Sequence, residues 1–514
     1  MRRLFALVIL TSMLAAPAVA TALEAGDDKS AAMTADTLQT EYEKQLLLRM
    51  RANKNRSNMP ANTFQFLTKA IEQKRFEIAT WAPNSQETLD WCAAGAGEAQ
   101  VKAGDVTNKG QARVTMEALK KRCSEVAQYT FDAWHKCKRV KTKKGSKIQC
   151  QVWVEIHITK YKAVDTGQGT VELKVDQKFG KGGTKIITSS GTGSHKNNEA
   201  SAISGAAFTA KLFGERRVRD IPYFQIKSPI VRHKDKKTYH CIPDDTGELD
   251  MPMYVLKQTA KGTKRVGFVK CRKYYDGCVL TPKLEKRQKA GKKVTLKPSW
   301  AQDILGSGNI KPGMTVWEMP SVGLNFGLGG GMSAVVAGPM IGQPSFGILA
   351  EYSLARHVGI SELHAFSRFK GTFFDQASGK AMYQMAFPNY GDGGEEGKAG
   401  IAGQAELGLL KRIYLDSPLF LEIAGYLAGS YYLLEQFNYY GTTYTFGVQT
   451  IGAGAKVGAG LQLAPRWILR LGVGGTFGVA MATLEDDAGN TADVGGELES
   501  EVGLNAALDL LYNF

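Results

Sequence analysis

From Pro320 to the last residue the chain alternates. Phe346, Ile348, Ala350, Tyr352 and Leu354 take every second position, with Gly347, Leu349, Glu351 and Ser353 between them. Leu363, Ala365, Phe369, Gly371 and Phe373 alternate with Glu362, His364, Arg368 and Lys370. The same pattern recurs over 401–409, 419–433, 455–463 and 467–479. It begins at Val322, Leu324, Phe326 and Leu328 and ends at Leu508, Leu510, Tyr512 and Phe514. A period of two is the signature of a strand, and eight such segments are present. Very short links at Arg356–His357, Asp416–Pro418 and Ala464–Arg466 alternate with longer ones at 337–344, 375–399, 435–443 and 483–496.

The distribution of charge between the two sets decides what kind of strands these are. One set is Leu, Val, Ile, Phe, Tyr, Ala and Gly over about nine or ten residues, the length that crosses a bilayer at a tilt. The other mixes Gly and Ala with single charges: Glu351, Glu362, Arg368, Glu406, Glu422, Lys456, Arg470 and Asp509. A soluble barrel would place its charges outside. This pattern predicts an antiparallel eight-stranded transmembrane β-barrel with an interior filled by small residues and mutually paired ions. Trp467, Tyr414, Tyr431, Tyr432 and Tyr512 fall near strand ends, where interfacial aromatics belong.

Upstream the periodicity changes. Leu46, Leu47 and Met50, then Phe64, Leu67 and Ile71, recur at helical spacing over 37–75, and Met116, Leu119, Cys123, Val126 and Phe131 suggest a second helix over 111–134. Val152, Val154, Ile156 and Ile158 form a strand, and Val171, Leu173 and Val175 another. EASAISGAAFTAKLFG follows a Gly/Ser break as a small-residue helix, and MPMYVLKQ, RVGFVKCRK and GMTVWEMP read as short strands. Met1-Arg2-Arg3, an apolar run to Leu14 and Ala18-Val19-Ala20 have the form of an export signal. The expected organisation is a signal peptide (1–20), a helical segment (21–90), a Cys-containing α/β domain (91–233), a small β domain (234–319) and the barrel (320–514). In fold class this is a multidomain chain, with α+β periplasmic domains before the barrel.

Charge and cysteines separate the two parts. Residues 201–300 hold 23 Lys/Arg against 9 Asp/Glu, whereas 320–514 hold 10 against 18. All seven cysteines (Cys92, Cys123, Cys137, Cys150, Cys241, Cys271 and Cys278) precede the barrel. In an exported chain they are disulfide candidates. Cys137 and Cys150 bracket the turn-like KTKKGS, which leaves Cys92 for Cys123. Cys241 has Cys271 or Cys278 to choose from, and one thiol is left over. A zinc set of His135, Cys137 and Cys150 matches no common zinc spacing. The basic runs KRVKTKKGSK and KLEKRQKAGKK are a solvated surface or a site for anionic envelope polymers or lipid head groups. Export argues against nucleic acid as the partner.

The C-terminal 190 or so residues, closing on GLNAALDLLYNF, resemble the outer membrane protein A-like family of eight-stranded barrels. That resemblance implies outer-membrane lipid around the barrel and makes Leu508, Leu510, Tyr512 and Phe514 an insertion signal for the barrel-assembly machinery. The domain order is reversed from the family's best-known type, and the Asp/Arg motif of its peptidoglycan-binding module is absent. The middle of the chain weakly resembles lipoprotein-20-like and flagellar-assembly accessory domains of the periplasm. G-x-S-x-G, H-E-x-x-H and P-loop motifs are absent, so neither an enzyme nor a cofactor is expected. The expected function is anchoring: a basic, disulfide-bonded periplasmic module held at the outer membrane to bind a protein or an anionic polymer. The alternatives are adhesion through the external loop 375–399 and, less favoured by strand number, a small pore.

Overall fold

The computed structural model describes residues 33–34 and the chain from 44 onward, except 103–114, 143–144, 168–169, 244–245, 261, 276–294, 297, 337–339, 375–399, 417, 440–441, 487–490 and 494–497. The export signal, the second lysine-rich run and the loop 375–399 lie outside the described residues.

The first layer is a twisted mixed sheet. Strand β1 (Gln45–Arg49) runs parallel to both β2 (Phe76–Ala79) and β3 (Val126–Thr142). β3 forms a long antiparallel hairpin with β4 (Gly145–Asp165), which also pairs β5 (Val171–Val175) and β6 (Thr184–His195). Helices α1 (Ala61–Thr68) and α4 (Glu199–Arg219) cover one face, burying Leu67, Ala202, Ile203, Ala206 and Ala210 against Phe131, Val152, Val154 and Ile156. α4 can lie this close because β6 offers Gly191 and Gly193; a Cβ on either would strike the carbonyl oxygens of Ala206 or Ala202. Helices α2 (Gln86–Lys102) and α3 (Met116–Cys123), joined by the Cys92–Cys123 disulfide, cover the β1 end of the opposite face.

Two expectations fail here. Leu46, Leu47 and Leu48 belong to a strand and are all buried. A parallel strand covered on both faces is apolar at successive positions, which mimics a helical stripe. The second helix stops at Cys123, and 126–134 is strand. Its Val126, Tyr129, Phe131 and Ala133 are buried by sheet packing that overrides the local period.

A second unit is a closed six-stranded barrel of β7 (Lys227–Lys234), β8 (Lys237–His240), β9 (Pro252–Thr259), β10 (Gly262–Lys273), β11 (Ser299–Leu305) and β12 (Thr315–Glu318), in the order β8-β11-β10-β9-β12-β7. Ile230, Met253, Val255, Val269, Cys271 and Val316 fill it.

The third unit is an up-and-down antiparallel barrel of eight strands: β13 (Leu324–Val336), β14 (Met340–Ser353), β15 (Leu363–Phe374), β16 (Gly400–Asp416), β17 (Leu419–Tyr439), β18 (Thr442–Ala464), β19 (Trp467–Asp486) and β20 (Leu498–Asn513). Each strand pairs the next, and β20 closes on β13 from Asn325↔Asn513 to Val336↔Val502. Leu328, Phe346, Leu407 and Ile451 project outward with more than 60% of their surface exposed, while the interior is charged. That inversion suits hydrocarbon outside, and closure leaves no unpaired backbone edge there. Among the described residues no helix is long and apolar enough to cross a membrane. Two connections expected as loops are largely strand: β17 and β18 run to Tyr439 and from Thr442, and β14 begins at Met340. β17, β18 and β19 have 20–23 residues, about twice what a bilayer crossing needs, so the wall extends past the hydrocarbon.

Candidate functional site

Inside the large barrel, inward positions of neighbouring strands bring opposite charges together. Arg412 donates from Nε to Glu422 Oε1 at 2.7 Å and also pairs with Glu351. Arg470 lies between Glu351, Glu422 and Asp509, with Nε 2.8 Å from Asp509 Oδ2. Arg368 also pairs with Asp509, and Lys370 with Glu406. All eight interior charges named from the sequence lie within a buried set, each less than 10% exposed. Lys370, Lys411 and Arg412 join them; Lys370 shares the parity of Arg368, which the sequence offered as a signal. Two cavities along this axis are small: about 50 Å³ at the end with the short turns and about 10 Å³ between Phe366, Glu422, Lys456 and Arg470. Such spaces hold a few waters at most. Among the described residues, fixed ions occupy the lumen at these layers and pair across the wall.

The two barrels are locked mouth to mouth. Lys270 and Arg272 of β10 reach across to Glu362, at 2.8 and 2.9 Å. Lys270 Nζ also donates to Tyr414 Oη at 3.3 Å. Tyr414 therefore stands inside the mouth, a correction of its expected interfacial place. It shares the even-numbered parity of Arg412, which faces inward. Asp250 accepts from Ser361 Oγ at 2.7 Å, from the Glu362 backbone N–H and from Arg272. Asp250 and Glu362 both hold left-handed backbone conformations (φ 62° and 52°), so each side of the joint carries a strained turn.

A second ionic knot joins all three units. Glu318, fully buried, accepts from Arg219 Nε at 2.6 Å, from Arg75, and from the Ile226 backbone N–H at 3.1 Å. Burial pushes the Glu318 carboxyl up, but the Arg219 and Arg75 guanidiniums outweigh it and hold the carboxyl below its ordinary range. Arg219 also meets Glu248 at 3.1 Å, and Arg356 of the large barrel lies 3.5 Å from Glu215 of α4. Partners such as Arg272 and Ser361, or Arg75 and Glu318, lie 89 and 243 residues apart, so no local pattern announces these joints.

The third feature is the distal half of the β3–β4 hairpin. Residues 136–154 contain seven Lys/Arg and no Asp/Glu. Cys137 and Cys150 are disulfide-bonded across it, so their sulfurs are not free for the alternative zinc set with His135. Lys136, Lys138, Arg139 and Lys141 are exposed. At the base of this arm Trp134 faces Trp153 across the strands, with ring centroids 6.1 Å apart, and Arg56 lies 5.0 Å from the Trp134 ring centre. Thr188, Ser190, Thr192 and Ser194 extend the same open face onto β6.

Of the remaining cysteines, Cys241 is disulfide-bonded, Cys271 is a buried free thiol and Cys278 lies outside the described residues. Cys271 Sγ is 3.5 Å from His240 Nε2, the residue types of a nucleophilic dyad. Burial pushes His240 down to about 3 and the Cys271 thiol up, which disfavours the thiolate and imidazolium forms that a nucleophilic dyad uses. At the C-terminus Leu508 and Leu510 face outward, and Tyr512 packs between Trp467 and Phe514 at 5.0 and 4.9 Å.

No family model matches the chain, and no curated protein matches it. Among solved structures it is similar to Neisserial surface protein A (11% identity, 37% of this chain, 97% of that one, TM-score 0.25). A major outer membrane protein from Thermus thermophilus is similar at 16% identity (37% of this chain, 99% of that one, TM-score 0.26). So is Ail, the attachment invasion locus protein of Yersinia pestis, at 9% identity (37% and 97%, TM-score 0.23). At these scores the likenesses carry no function across, and the barrel rests on its own strand register.

Proposed function

We propose that this is an integral outer-membrane protein whose barrel holds a disulfide-bonded N-terminal module at the periplasmic face, and that the module binds an anionic envelope polymer. The observation that carries this reading is the acid-free arm 136–154, stiffened by Cys137–Cys150 and continuous with an open face bearing Trp134 and Trp153. Clustered lysines attract a polyanion over roughly a Debye length, about 8 Å at physiological salt. The junction supports the same reading, because an anchor that transmits load needs a joint stiffer than a free linker.

The test has two arms. Protease added to intact cells is expected to spare residues 44–319, and cleavage there from outside would reverse the topology. Purified protein is expected to sediment with cell-wall sacculi in a salt-sensitive manner. Replacing Lys136, Lys138, Arg139 and Lys141 together with Gln removes four exposed charges and should abolish most of that binding. Equal binding by the variant, or none by the parent, sinks the assignment.

A further inference from the structure

An aromatic track leaves the large barrel and runs onto the N-terminal module. Tyr352 stands on the outward parity of β14, in line with Phe346 and Ile348, which are 67% and 45% exposed. Its ring meets Phe208 of α4 edge-on at 6.0 Å, and Phe208 stacks on Phe66 of α1 at 6.5 Å with planes only 12° apart. Phe208 is 46% exposed, although the rest of its stripe on α4 is Ser201, Ser204, Gly205 and Lys211. A phenylalanine left 46% exposed at that position costs solubility. Val358, in the adjoining turn of the barrel, is 52% exposed. Polar groups edge the track: Arg356 Nη2 donates to Tyr352 Oη at 3.0 Å, His357 Nε2 is 3.0 Å from the same oxygen, and Lys211 Nζ lies 5.8 Å from the Phe66 ring centre.

We infer that Phe66 and Phe208 are membrane-contacting residues, and that this flank of the module lies in the head-group layer of the leaflet surrounding the barrel's short-turn end. The occupant is phospholipid. Continuity with the barrel's outward band argues for it, because Tyr352 belongs both to that band and to the track. The composition fits as well: rings with cationic neighbours are the residue mix that settles at a bilayer interface. The module is then clasped to its barrel by ions on one side and laid against lipid on another. This rests on the barrel standing in a bilayer and is independent of what the basic arm binds.

The experiment uses the full chain in phosphatidylethanolamine–phosphatidylglycerol vesicles, with Phe208→Trp in a Trp467→Phe background. The added emission is expected to be lost when the acyl chains are brominated and to resist aqueous iodide. A Ser201→Trp control lies seven residues along the same stripe, about 10 Å away, and should show the opposite pattern. Quenching of the residue-208 emission by iodide and not by brominated lipid would overturn the inference, whatever the sacculus assay shows. So would insensitivity to both quenchers together with a dimeric mass in detergent, which would mean that a second copy covers the face. Should Phe208→Trp fail to insert, Phe66→Trp reads the same layer with the same two outcomes.

Discussion

Glu318 shows how much rests on single side chains in this protein. Its carboxylate is fully buried and receives two guanidiniums and a backbone N–H. Glu318→Gln keeps the shape and leaves Arg75 and Arg219 facing a neutral group. Breaking a buried pair in this way costs on the order of 3–5 kcal/mol, and denaturant unfolding of the module should report it. The pH dependence has a definite sign. Because the folded carboxyl sits below its ordinary value of 4.5, its contribution is complete above that value and lost as pH falls through the lowered one. Limited proteolysis should therefore find the junction opening on acidification, and the Gln variant should be flatter across that range. In the large barrel, Arg470→Leu leaves Glu351, Glu422 and Asp509 short of a partner. Loss of barrel stability by a similar ~3–5 kcal/mol is expected in detergent, with Arg470→Lys recovering part of it.

Elements were unevenly legible. The barrel strands could be read because lipid outside and ions inside impose a strict two-residue period on each of them, and Glu351, Arg470 and Asp509, on the polar alternate positions, are buried. Leu46 and Leu47 mimic a helical stripe because a strand buried on both faces has no polar alternate set. At Tyr414 parity, and not nearness to a strand end, sets the side chain's direction. Pairings across the junction left no sequence signal at all, since Arg75 and Glu318 carry no local pattern linking them. The β3–β4 arm offers the clearest test at this scale. Replacing Cys137 and Cys150 with Ala opens a loop of 13 residues, for which chain entropy gives about 3 kcal/mol. Hydrogen exchange should show the arm's amides losing protection while the β1–β3 pairing is kept.

At the scale of the whole molecule, the six-stranded barrel caps one mouth of the eight-stranded one. Lys270 and Arg272 close that mouth on Glu362, and paired ions occupy the described part of the lumen beyond them. Planar-bilayer recordings of the purified protein should show no steady conductance. Replacing Lys270 and Arg272 together with Gln should loosen the module against protease without creating a channel, because the layer of Glu351, Arg412, Glu422 and Arg470 remains. Steady channels in the parent protein would refute the filled-lumen account. The closing seam has a kinetic consequence of its own. β13 is the first barrel strand after the module, and its partner β20 is the last, so Asn325 waits for Asn513 before the ring can shut. Loops of that length are slow to close. The module's hairpins and disulfides use near neighbours and can mature while the ring is still open. A pulse-chase is therefore expected to find the Cys137–Cys150 disulfide formed before the barrel resists protease.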